Sequence, residues 1–126
     1  DETQGKGRQM LAAAATRIAR QLKVPGILVI TRKGRGAIKM SNMRARGIPI
    51  FAFTETEKTR TTLMPLRGVY PYLLQFSEDP EETIQNALTL LKQKQDMLAG
   101  VSVVVIADIM TGEGYVNCLQ IRTLPE

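Results

Sequence analysis

Apolar positions along the chain switch repeatedly between helical and strand spacing, and the switching lays out a succession of elements. Residues 6–23 place Leu11, Ala14, Ala15, Ile18 and Leu22 at intervals of three and four, which predicts an amphipathic helix. A run of alanines favours that helix, and Pro25-Gly26 stops it. Ile27–Ile30 is a short, wholly apolar run, the pattern of a strand covered on both faces. The glycine-punctuated loop Thr31–Gly36 leads into a short helix over 36–43, with Ile38 and Met40 inward and Gly47 past its end. Ile48–Phe53 reads as the second strand, with Pro49 near its start. Thr54–Thr56 caps a helix over 57–64, which Pro65 ends. Val69–Phe76 is the third strand, and Pro71 withdraws a ladder donor, which suggests a sheet edge.

Residues 80–95 carry the signals of a longer helix. Ser77 or Asp79 caps it, Pro80 opens it, Glu81 and Glu82 fill its first turn, and Lys92 and Lys94 its last. Ile84, Leu88 and Leu91 give it a buried stripe. Val101–Ala107 is the most hydrophobic strand and is read as central. Asp108–Gly114 is read as a loop. Tyr115–Thr123 alternates, with Tyr115, Asn117, Leu119 and Ile121 on one face, as a half-exposed edge strand does.

Helices alternating with strands predict an α/β fold: a three-layer αβα sandwich around a five-stranded, mostly parallel sheet. The last strand follows too short a connection for a parallel crossover, so it is expected to be antiparallel. All 126 residues are read as one domain, 1–126.

Composition narrows the chemistry. The chain is 44% hydrophobic, enough for a core, yet no apolar run approaches the roughly 18–20 residues of a membrane span, and no signal-peptide pattern opens it. No membrane partner is therefore expected. A single cysteine, Cys118, precludes an internal disulfide and fits a reducing, cytoplasmic setting. The absence of histidine removes imidazole metal sites, the Ser-His-Asp triad and the usual neutral-pH general base. No clustered carboxylate pair suggests acid–base catalysis.

Charge is unevenly placed. Residues 1–54 hold eleven Lys and Arg against two acids, whereas 55–126 hold six against ten. Such a half is read either as an anion-binding face or as the complement of an acidic partner domain. In open α/β sheets ligands sit at the carboxyl ends of strands. There the loop Thr31-Arg32-Lys33-Gly34-Arg35-Gly36 offers backbone N–H groups before a helix, three cations and a hydroxyl, which suits a phosphate. Gly112 and Gly114 would let a second loop approach it. The stretch has no G-x-x-x-x-G-K-S/T or G-x-G-x-x-G pattern, and it is read either as an anion cradle or as a tight turn with solvated cations. Asp108 is read as a loop anchor. Low aromatic content, 5% with no Trp, speaks against single-stranded nucleic acid as a partner.

Taken together, ILVITRKGRGA, IPIFAFTETEKTR, LRGVYP and GEGYVNCLQIR resemble the C-terminal domain of pyruvate kinase. The family pattern runs T-x-S-G-R-S/T-A after a strand, then P-I-x-A-x-T, R-G-V-x-P, a helix, a valine-rich strand and G-x-x-N. Arg67–Pro71 is the most specific piece, and the order is kept over nearly the whole chain. The resemblance implies a regulatory and oligomerising domain beside a catalytic barrel that moves phosphate from phosphoenolpyruvate to ADP with Mg²⁺ and K⁺. It implies no cofactor in this domain, and no catalysis by it. It places effector-binding loops at Thr31–Gly36 and at Asp108–Gly114, and an oligomer contact at the last strand. Lys33 stands where the pattern has serine, and Gly36 where it has Ser or Thr. Two hydroxyls are thus absent and one cation gained, leaving a sugar monophosphate, a nucleotide monophosphate or no effector at all as the expected alternatives. The alternative is a stand-alone domain of the same fold with another phosphorylated ligand or nucleic acid.

Overall fold

The computed structural model describes residues 2–42, 47–111 and 114–126. The elements are α1 (Glu2–Leu22), β1 (Ile27–Ile30), α2 (Arg35–Asn42), β2 (Ile50–Thr54), α3 (Glu57–Leu63), β3 (Val69–Leu73), α4 (Pro80–Lys94), β4 (Ser102–Thr111) and β5 (Gly114–Thr123). They form one five-stranded sheet in the order β3-β2-β1-β4-β5. The first four strands are parallel, and β5 pairs antiparallel with β4.

The sheet is covered on both faces, as the apolar runs require. On one face α1, α2 and α3 bury Ala12, Ala15, Ala19, Ala37, Met40 and Leu63 against Ile27, Val29, Ile50, Ala52, Val104 and Ile106. On the other, α4 packs Ile84, Ala87, Leu88 and Leu91 against Leu28, Phe51, Phe53, Val103 and Val105. Strands covered this way expose neither set of side chains, which explains the fully buried patterns of β1 and β2.

Four expectations are corrected. The buried face of α1 is its small-residue face, Ala12, Ala15, Thr16 and Ala19, whereas Leu22 is 51% exposed. Alanines let the helix axis approach the sheet closely, and the larger residues are left at the flanks. The most hydrophobic strand, β4, is not the middle one; that place belongs to β1, with β4 between it and β5. Strand β2 starts at Ile50, so Pro49 stands just outside the ladder, where its carbonyl accepts from Ile27 N at 2.9 Å. Finally, β4 runs on to Thr111, so Asp108–Thr111 belong to a strand and not to a loop. Thr111 pairs with Gly114, the first residue of β5. Gly112 lies outside the described residues.

The chain's direction of travel reverses once. From β1 the helices α2 and α3 carry it outward to β2 and β3, and then α4 brings it back across the sheet to β4 on the far side of β1. The crevice above the carboxyl ends of β1 and β4 is therefore the switch point, where open α/β sheets take their ligands.

Candidate anion-binding crevice

Each part of the Thr31–Gly36 loop has a local cause. As β1 ends, Thr31 N still donates to Phe53 O at 3.0 Å. The Thr31 side chain is buried, and its Oγ1 accepts from Gly34 N at 2.8 Å, closing the turn. Gly34 has φ +86°, a conformation glycine adopts freely, and a Cβ there would lie 3.2 Å from Leu63 Cδ2 of α3. The Gly34 carbonyl accepts from Ile38 N at 2.9 Å, which starts α2. The first-turn N–H groups of α2 that follow have no acceptor inside the helix. They form the positive end of its dipole.

The three cations of the loop divide into two roles. Arg32 turns away from the helix start: its Nη1 lies 3.5 Å from Glu55 Oε1, and its guanidinium stands 5.6 Å from the centre of the Phe76 ring. Glu55 also accepts from Phe76 N at 3.1 Å, so these residues tie together the segments after β1, β2 and β3. The Arg32 carbonyl accepts from Thr59 Oγ1 at 3.2 Å, which holds α3 to the loop. Lys33 and Arg35, exposed like Arg32, stand beside the start of α2.

Two hollows flank this loop. A cavity of about 340 Å³ runs beneath Arg32 and Phe76 toward the start of α4, with Ser77, Thr83 and Asp108 on its wall. A smaller one of about 100 Å³ is bounded by Arg8, Thr31, Arg32, Lys33, Arg35 and Asp108. Arg32 and Asp108 line both. Burial pushes the Asp108 carboxyl above its ordinary value, against the opposing pull of Arg8 and Arg35.

The six residues expected from the loop lie together at the switch point, whereas Gly114 is the first residue of β5, three positions past the end of β4 at Thr111. Sequence reasoning missed Arg8, and it reached Glu55 and Asp108 only as members of strand-end loops, with Asp108 read as a loop anchor at the head of the second expected effector loop. Arg8 did carry a signal: it stands four residues before Ala12 and seven before Ala15, so a cation sits on the buried line of α1. Such a cation needs a partner or a ligand.

Fold and crevice define a class: a doubly wound α/β domain with a basic glycine loop at its switch point. Residues 9–122 match the family model of the pyruvate kinase alpha/beta domain, and the chain belongs to that family. It is 39% identical over 98 residues to pyruvate kinase isozyme G, chloroplastic, of Ricinus communis, covering 78% of this chain and 23% of that protein. It is 31% identical over 118 residues to pyruvate kinase II of Salmonella typhimurium, covering 92% and 24%. Among solved structures, Cryptosporidium parvum pyruvate kinase in complex with ADP superposes with a TM-score of 0.83 at 26% identity, over 94% of this chain and 24% of that one. The chain thus spans about a quarter of the length of the relatives it matches.

Proposed function

We propose that this chain is the regulatory and oligomerising domain of a pyruvate kinase, an enzyme of glycolysis that transfers phosphate from phosphoenolpyruvate to ADP. The crevice at Thr31–Gly36 takes a phosphorylated effector, a sugar monophosphate or nucleotide monophosphate. The observation that carries this reading is the open start of α2, framed by exposed Lys33 and Arg35 at the switch point of the sheet. First-turn amides without an acceptor inside the helix, the helix dipole and two full charges meet there, which is the combination a phosphoryl group needs. Catalysis belongs to the barrel implied for the parent enzyme, with its Mg²⁺ and K⁺. The named relatives include a chloroplastic isozyme, so the compartment is expected to be either cytosol or plastid.

Backbone amides of labelled protein report on this directly. Titration with inorganic phosphate, glucose 6-phosphate and adenosine monophosphate should shift the amides of residues 31–37 at millimolar ligand or below. Lys33→Ala and Arg35→Ala should each weaken the best ligand by about 1–3 kcal/mol. Amides that stay still with every phosphate would leave the stretch a turn. In a separate assay, the purified chain supplied with phosphoenolpyruvate, ADP, Mg²⁺ and K⁺ should form no pyruvate. Turnover that follows the chain through purification would sink the assignment of catalysis to the barrel.

A further inference from the structure

The smaller hollow combines four cations with one carboxylate, and that carboxylate is poorly placed for its partners. Arg8 Nε lies 3.9 Å from Asp108 Oδ2, beyond hydrogen-bond range. The same Nε is buried and has no acceptor among the described residues. Across the hairpin, Asn117 stands opposite Asp108, and its Oδ1 is likewise buried without a donor. Arg8 therefore brings a desolvated donor to the hollow without a completed bond. Arg32 is engaged by Glu55 and Phe76, so Arg8 and Arg35 are the cations that Asp108 meets from the two helices. Burial without adequate bonding is also what raises the Asp108 carboxyl.

We propose that Asp108 is an internal competitor of the anion that this crevice takes, and that Arg8 is one of that anion's ligands. The inference rests on the reading that the Thr31–Gly36 loop binds phosphate, and adds which residues set the affinity. A phosphoryl group carries more oxygens than a carboxylate and is not fixed to β4. It can approach Arg8 and Arg35 more closely than Asp108 does, while its remaining oxygens meet the first turn of α2. Its negative charge is then opposed by the Asp108 carboxylate held between the same cations. Removing that carboxylate frees both arginines, so anion binding strengthens.

Inorganic phosphate at constant pH and ionic strength is the probe, read by the amides of residues 31–37 in wild type, Asp108→Asn and Arg8→Gln. Asp108→Asn is expected to bind about tenfold more tightly than wild type, and Arg8→Gln about tenfold more weakly. A thermal melt of each variant reports separately on folding, and a purely structural pair would lower both melts without tightening phosphate binding. If phosphate moves the wild-type amides but binds Asp108→Asn no more tightly, the inference is overturned and the reading of the loop stands. If it moves them neither in wild type nor in Asp108→Asn, the reading of the loop falls and takes the inference with it. Should Asp108→Asn fail to fold, the Arg8→Gln arm decides alone, and unchanged affinity there overturns the proposal.

Discussion

Single side chains set the shape of the crevice, and their removal is measurable. Thr31→Val keeps the volume but leaves the buried Gly34 N–H without its acceptor, which should cost about 1–3 kcal/mol in urea unfolding. Gly34→Ala should cost about 1–2 kcal/mol from its positive φ, and more if Leu63 cannot yield the 3.2 Å approach. A Gly34→Ala protein as stable as wild type would mean the loop has an alternative path. The candidate site was legible in the sequence as far as it is local. Glycines and cations crowded into six residues after an apolar run announce a loop at a strand end. Arg8 was not legible, and Glu55 and Asp108 were legible only as members of separate strand-end loops, because the three arrive from α1, from the end of β2 and from β4. Only tertiary structure brings such positions together.

Secondary-structure elements were the most legible level, since every one follows a spacing rule or a breaker, and α4 shows why. Asp79 caps it by accepting from Glu81 N at 3.0 Å, Pro80 stands at its start, and its Ile84–Leu88–Leu91 stripe is buried as the pattern requires. Which face of α1 is buried was read wrongly, because hydropathy ranks leucine above alanine while close helix–sheet contact ranks size first. Among the described residues α4 is the one helix in the core on its face of the sheet, so Leu88→Ala should cost about 2–5 kcal/mol and lower the melting temperature sharply. The helix is also tied to β5, where Arg122 donates to Glu81 through Nη1 at 2.7 Å and Nη2 at 2.5 Å. Hydrogen bonds from Arg122 and then from Gln85 hold the Glu81 carboxyl down at about 2, from 4.5. A depressed folded value means the bond stabilises above about pH 4.5, and that the gain fades as pH falls toward 2. Solvent screening at this exposed pair limits the effect to about 1 kcal/mol. The stability difference between wild type and Glu81→Gln should therefore be present at pH 7 and close by about pH 2. A difference that persisted unchanged in acid would assign it to packing.

At the scale of the whole molecule, the sheet has two free edges, β3 and β5. Strand β3 is blunted by Pro71, whereas β5 is ten residues long, has no proline and exposes Val116 and Ile121 at 49% and 56%. We expect two copies to meet edge to edge along β5 in a two-fold dimer. Sedimentation should then show a dimer at micromolar concentration and a monomer for Ile121→Lys, and a wild type still monomeric at about 100 µM would exclude the contact. The strand order has a further consequence, for synthesis. The middle strand β1 is made early, but one of its two neighbours is β4, and Ile27 pairs with Val104 far along the chain. At about 5–20 residues per second, β1 waits roughly 4–15 s with a bare apolar edge while the rest is translated. A growing chain is thus exposed to misassociation until β4 slots in. Ribosome-held chains ending before Ser102 should bind chaperones and resist refolding, and lengthening them past Thr123 should release both effects together.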